Sequence, residues 1–301
     1  MDAFPLFSII IAVFNDWISL DECLRSLALQ TNAPGFEVTV VDDGSQDTVP
    51  ESIRRWAHCY GLSIVRQPHK GIAAARNRGV QVSRGAVLVF VDADCRFQSN
   101  CLSALALKVA ASPNHNCFQL HLVGDCSGLV GKAEQLRLET LQKHMLQPDG
   151  CIRYLNTAGF AIRRARVDVE QGLFNVRALR AEDTLLLANL IETGELPLFA
   201  PNALIQHVIP LSPLQCLLKD VRSAYLEGGV YATIASKGVR IRITHRERLG
   251  MLISMWSAST NQSIGAAACF LVVRQTLQRL ISLAHWVCKS QLRLRASTTS
   301  C

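Results

Sequence analysis

The eleven cysteines include no Cys-x-x-Cys pair, so a zinc ribbon and a thioredoxin-type redox motif are both excluded. Cys23 and Cys269 sit among apolar neighbours and read as reduced, buried thiols of a cytoplasmic protein. No glycine-rich loop follows the first apolar run. Val13-Phe14-Asn15-Asp16 stands there instead, which argues against a dinucleotide-binding unit. Aromatic residues make up only 6% and are not interleaved with basic ones, so nucleic acid is not an expected partner. Met1-Asp2-Ala3-Phe4-Pro5 carries no basic stretch, and no signal peptide is expected. Acidic residues are outnumbered by basic ones, 24 to 31, and the net charge of +7 favours phosphates or anionic lipid.

What is present is a strand–helix alternation. Leu6–Ala12, Phe36–Val41, Leu62–Arg66 and the run from Val87 read as strands. Between them, Leu20–Leu29 (capped by Ser19), Val49–Tyr60 and Gly71–Val82 read as helices. The spacing predicts a doubly wound parallel sheet. The valine-rich run Val87–Val91 is short and apolar throughout, as a strand buried on both faces must be, and it ends in Asp92-Ala93-Asp94. Carboxylates one residue apart repel unless a cation sits between them, and ligands of open α/β sheets gather at the carboxyl ends of strands. Asn15, Asp42 with Asp43, and Asp92 with Asp94 occupy three such ends, and Arg76 lies on a helix beside them.

In order and spacing, several segments of the first hundred residues resemble the family 2 glycosyltransferases. They are Ser8–Asn15, Leu24-Arg25-Ser26-Leu27 with Gln30-Thr31, Val40-Val41-Asp42-Asp43-Gly44-Ser45 with Asp47, Gly71 with Ala75-Arg76-Asn77 and Gly79, and Phe90–Asp94. Asn156–Arg164 and Ala181-Glu182-Asp183-Thr184 resemble the family's acceptor side, as do Glu192-Thr193-Gly194 and Pro201-Asn202-Ala203 with His207, expected as a strand pair. Gln171-Gly172-Leu173-Phe174-Asn175 only approximates the family's usual Gly-Gly-Phe segment.

The resemblance implies a GT-A fold: a Rossmann-like α/β domain with a mixed, mainly parallel sheet, helices on both faces and a helical C-terminal extension. Residues 1–210 would be catalytic, with 1–95 binding the nucleotide-sugar and 96–210 the acceptor; residues 211–301 would be mostly helical. It implies inverting transfer of a sugar from a nucleotide-diphosphate donor to a hydroxyl of a glycan or lipid-linked acceptor. A divalent cation, Mg2+ or Mn2+, would be held by Asp94, Asp92 and His207. Ala12, Asn15, Asp42, Arg76, Asp92 and Glu182 would bind substrate, and Asp183 would be the catalytic base. Asp42 would accept from the N3–H of uracil, favouring a uridine donor. Arg76 would stack on the base or pair with phosphate. Asn15 reads equally as a turn cap and His207 equally as a core histidine, whereas Asp43 reads first as a turn residue. A sugar-nucleotide pyrophosphorylase would need a glycine- and arginine-rich first loop; a non-catalytic sugar-nucleotide binder is the other alternative.

Beyond Pro210 the character changes. Leu214–Leu226 reads as a helix capped by Ser212. Lys237, Arg240, Arg242, His245, Arg246 and Arg248 form a basic block, either a solvated face or a contact for anionic lipid. Ile264–Val287 is apolar but interrupted by Arg274, Gln275, Gln278 and Arg279. It does not span a bilayer comfortably, and either packs on the domain or lies in a membrane interface. Residues from Ser290 read as frayed.

Overall fold

The structure is a computed structural model; its backbone is described for residues 5–239, 241, 247, 250, 251, 253, 254 and 262–298. The chain runs β1 (Phe7–Val13), α1 (Trp17–Ala28), β2 (Phe36–Asp42), α2 (Glu51–Arg54), β3 (Gly61–Arg66), α3 (Ile72–Val82), β4 (Val87–Asp92) and β5 (Cys95–Phe97). It continues through α4 (Cys101–Ala110), β6 (Cys117–Gly124), α5 (Gly128–Met145), β7 (Phe160–Arg163), α6 (Glu182–Glu192), β8 (Leu198–His207), α7 (Pro213–Ser236) and α8 (Gln262–Thr298).

The strands form one 8-stranded sheet in the order β3-β2-β1-β4-β7-β6-β8-β5. β3, β2, β1 and β4 are parallel neighbours, and β7 joins β4 antiparallel. Side chains of a strand alternate between faces, and both faces here are covered. Ile9, Ile11, Val89 and Val91 pack with Leu20, Leu24, Leu102 and Leu105 of α1 and α4. Ile10, Leu88 and Phe90 pack with Ala73 and Val80 of α3 and with Leu186 and Leu187 of α6. At about 1.5–3 kcal/mol for each large apolar side chain buried, the β1–β4 centre is the main source of stability, and it holds the strand ends rigid. Gly79 belongs to this contact: a Cβ there would run into Ile10.

Several local expectations are corrected. The cap of α1 is Asp16, whose Oδ1 accepts from the N–H of Ser19 at 3.2 Å, so Ser19 lies in the first turn. The helix expected over Val49–Tyr60 shrinks to α2 and a 3-10 turn at Arg55–His58. Within both pieces only Ile53 is buried, too little apolar surface to hold a longer helix against the sheet. The strand pair expected behind α6 is one long strand, β8. Cys269 is exposed rather than buried, whereas Cys23 is buried as expected.

The helix α7 opens with a capping box between Ser212 and Gln215 and runs on to Ser236. Along α8, Ala267 and Leu271 pack on Ala133 and Leu136 of α5. Arg274, one of the expected interruptions, donates to both oxygens of Asp220 on α7, at 2.6 and 3.0 Å. Asp220 is buried and needs that counter-charge, so the Arg274 side of α8 turns inward and leaves Val273 and Leu280 exposed, as are Leu214 and Leu218 of α7. By length and composition alone, Ile264–Ile281 passes as long enough to cross a membrane. The helix continues past Ser290 to Thr298 instead of fraying. Of the basic block, Lys237 pairs with Glu192 at 2.6 Å; Arg240, Arg242, His245, Arg246 and Arg248 lie outside the described residues.

Candidate active site

The carboxyl ends of β1, β2 and β4 lie together at one edge of the sheet, as the alternation predicts. Asp42, the last residue of β2, is fully buried; its Oδ1 accepts from the N–H of Ser45 at 2.8 Å. Its Oδ2 has no hydrogen-bond partner, although Arg66 Nε stands 3.4 Å away. That oxygen is buried and its charge is met by the Arg66 guanidinium. Asp43 is structural: its carboxylate takes the N–H groups of Lys70 and Gly71 and the side-chain amide of Gln67, stapling the loop after β2 to the loop before α3.

Asn15 holds the neighbouring turn. Its Oδ1 accepts from Gln46 N at 2.7 Å and its own N–H donates to Ser45 Oγ at 2.9 Å. Its φ of 54° is the left-handed conformation that asparagine tolerates best after glycine. Ala12 sits in register with Asp92 across β1 and β4. Phe14, exposed at the same rim, stacks on His69 with ring centroids 4.3 Å apart, a pair the sequence reasoning missed.

Arg76 lies beneath the strand ends, paired with two carboxylates. It is 2% exposed, and its guanidinium donates from Nη2 to Asp92 Oδ1 and from Nη1 to Glu182 Oε1, both at 2.6 Å. Phe174 covers the guanidinium at 5.5 Å. Phe174 is in turn held by Asn77, which accepts from the N–H groups of Leu173 and Phe174 and donates to the Phe174 carbonyl. The counter-charge beside Asp92 is therefore Arg76, and Asp92 stays a candidate for the donor or its cation.

Asp94 has the other neighbour. His207, the last residue of β8, sets Nε2 3.5 Å from Asp94 Oδ1 and Nδ1 3.3 Å from Glu134 Oε1 of α5. It thus stands between two carboxylates instead of among apolar side chains. Ligand atoms of Asp94, Cys95 and His207 lie within 4.8 Å of one another. Burial and the nearby aspartates push the Cys95 thiol well above its usual range, so it stays protonated and is a poor ligand. A carboxylate oxygen and an imidazole nitrogen remain, a donor set suited to Mn2+ or Mg2+ bound together with phosphate oxygens. In the metal-free protein, burial opposes the charge on His207, but hydrogen bonds to Asp94 and Glu134 outweigh it and push its pKa to about 10.

On the acceptor side, α6 starts at Glu182 after Ala181, whose φ is 57°. Asp183 Oδ1 accepts from the N–H of Thr184 at 2.6 Å. Burial, then the charge of Glu182, pushes the Asp183 carboxyl up to about 6, within the range of a general base at neutral pH. Glu227 of α7 joins this group, pushed up to about 7 by burial and by Asp183. Sequence reasoning missed Glu134, Arg137 and Glu227, because they lie on helices between recognisable motifs. The available signal was helical period: Glu134 and Arg137 fall among Val130, Ala133 and Leu138, on the face a helix buries.

A mixed sheet carrying acidic strand ends, an acceptor helix and a carboxylate–imidazole pair defines the GT-A class of nucleotide-diphospho-sugar folds. The family model for glycosyl transferase family 2 matches residues 8–170, and the chain belongs to that family. Glycosyltransferase AglE of Haloferax volcanii is 40% identical over 94 residues, 30% of this chain and 31% of that protein. A PGL/p-HBAD biosynthesis glycosyltransferase of Mycobacterium tuberculosis is 40% identical over 94 residues, 31% of this chain and 36% of its own. The chain thus matches about a third of the length of these relatives. Among solved structures, a mannosyltransferase from Pyrobaculum calidifontis in complex with GDP-Man and Mn2+ aligns with a TM-score of 0.65 at 16% identity, covering 95% of this chain and 88% of that one. Staphylococcus aureus TarS 1-349 in complex with UDP aligns at 0.55 with 17% identity, covering 93% and 90%. These two likenesses bear on the fold.

Proposed function

We propose that the protein transfers a sugar from a nucleoside diphosphate sugar to an acceptor hydroxyl, with inversion at the anomeric carbon. The observation that carries this reading is the Arg76 bridge. One buried guanidinium ties Asp92, at the donor strand end, to Glu182, beside Asp183. Donor and acceptor machinery are thereby held in one frame, as a reaction between two bound molecules needs.

Asp183 takes the acceptor proton as that oxygen attacks the anomeric carbon. The bond from that carbon to the diphosphate breaks, and its electron pair leaves with the nucleoside diphosphate. Asp183 as base, with no covalent sugar–protein step, gives single displacement by the stereochemical logic of two-carboxylate glycosidases. Asp94 and His207 would hold a divalent cation, which supplies neutralisation of the leaving diphosphate. Asp42 would meet a base N–H in exchange for its ion pair with Arg66, and the Phe14–His69 stack offers an aromatic face to the base. A carboxylate accepts equally from the N3–H of uracil and from the N–H groups of guanine. The GDP-Man complex of the structural neighbour therefore keeps a guanosine donor as the second reading beside uridine.

For the acceptor we favour a glycan or lipid-linked molecule at an anionic membrane surface on the cytoplasmic side. The net charge of +7 and the exposed Leu214, Leu218, Val273 and Leu280 support this reading, as do the free cysteines among the described residues. Incubation with Mn2+ and a panel of UDP- and GDP-sugars tests the reaction. Release of nucleoside diphosphate, dependent on Asp183, is expected. Nucleoside triphosphate made from added pyrophosphate would mark a pyrophosphorylase, and no release with any donor would mark a binder.

A further inference from the structure

Glu134 has no role in the reaction proposed above, yet it is a carboxylate only 2% exposed beside the imidazole of His207. Its two oxygens accept from Arg137, Oε1 from Nη2 at 2.5 Å and Oε2 from Nε at 2.8 Å. Behind Arg137 stands the Tyr154 hydroxyl, which accepts from Asn156 Nδ2 at 3.0 Å. A buried ion pair one helical turn apart gains little net stability over an apolar pair of the same shape. Stability alone therefore does not account for it.

The placement of α5 is fixed by side-chain bonds to β6. Gln142 accepts from Leu122 N at 2.9 Å and donates to Leu122 O at 2.7 Å, and Gln135 accepts from Gly124 N at 2.5 Å. Gly124 is the residue of β6 in register with His207 of β8. It also lets the helix approach, because a Cβ at Gly124 would lie 2.5 Å from the backbone nitrogen of Gln135. The bonds that dock α5 thus set Glu134 against the ring of the strand-end histidine.

We propose that Glu134, held by Arg137, is a positioning residue: it takes the Nδ1–H of His207 and presents Nε2 beside Asp94 to a divalent cation. This rests on the reading that Asp94 and His207 bind such a cation. An imidazole with a fixed partner on one nitrogen has one tautomer and one orientation left for the metal, and removing such a partner weakens metal affinity about 10- to 100-fold.

The test is Mn2+ titration of the full chain, without nucleotide, followed by electron paramagnetic resonance. The ligand nitrogen of His207 is read from the 14N modulation of the bound-Mn2+ echo, and His207→Gln supplies the signal without it. Glu134→Gln keeps the volume and one acceptor. The double change Glu134→Gln with Arg137→Gln replaces the ion pair by a neutral one, so that no buried charge is stranded if the single variant unfolds. The expected result is Mn2+ affinity about 10- to 100-fold weaker with diminished 14N modulation, and a metal-free unfolding midpoint in the double variant close to that of the unchanged protein. Unchanged affinity and modulation in a folded variant overturn the positioning role and leave Glu134 a structural ion pair. If the unchanged protein itself binds no Mn2+, or Asp94→Asn binds it equally well, the cation reading falls and takes this one with it.

Discussion

The residues up to 95, proposed for the donor, and those after, proposed for the acceptor, pair their charges in different ways. In the first, partners are near in sequence or lie in the next loop: Asp42 takes Ser45, 3 residues on, and Asp43 takes Gly71, 28 residues on. Beyond residue 95 some partners are far apart in sequence: Glu182 meets Arg76 over 106 residues, and Glu134 meets His207 over 73 as well as Arg137, 3 residues on. Donor-side pairs shape loops around a crevice, and acceptor-side pairs fix the relation between elements. An expected consequence is that donor-side lesions act locally, whereas acceptor-side lesions disturb geometry and catalysis together.

Arg76→Met probes this most severely. It strands Asp92 and Glu182, and breaking such a buried pair costs about 3–5 kcal/mol. Urea unfolding should show that loss together with near-complete loss of transfer, whereas Arg78→Ala, exposed two residues away, should stay within about 0.5 kcal/mol of the unchanged protein. Equal, small effects of both would erase the contrast. Asp183→Asn separates the halves functionally: turnover should fall about a hundred- to ten-thousand-fold, while donor binding measured by calorimetry persists.

The pH profile sharpens the same point. Asp183 acts as the carboxylate, so kcat/KM should fall as pH drops through about 6, about tenfold per unit below it, and level off above. A profile flat from pH 5 to 8 would remove Asp183 as the base. The smallest effect belongs to the donor loops. Asp43→Ala leaves the N–H groups of Lys70 and Gly71 without their acceptor, and should cost about 1–3 kcal/mol in unfolding free energy. Mn2+ affinity should be unchanged, because Asp43 does not reach Asp94 or His207.

Legibility in the sequence follows the same division. The strands β1 and β4 were readable because burial on both faces leaves near-continuous apolar runs, and the turn after Asp42 because its residues are turn formers. The partners of Asp92 were not readable. A motif of two aspartates gives residue types but not the direction each side chain takes: one residue apart at the end of β4, Asp92 goes to Arg76 and Asp94 toward His207. The short α2 and the capping by Asp16 were missed because local propensity does not count the apolar surface a helix can bury. α8 showed its polar stripe in the sequence, but only Asp220 on α7 explains why Arg274 turns inward.

The division of labour between the two aspartates is the centre of the account. Anomalous diffraction from crystals grown with Mn2+ and UDP tests it most directly. The account predicts one manganese peak bonded to Asp94 and His207 Nε2, with Arg76 still bridging Asp92 and Glu182. A peak coordinated by Asp92, with the Arg76 guanidinium released from it, would contradict the account.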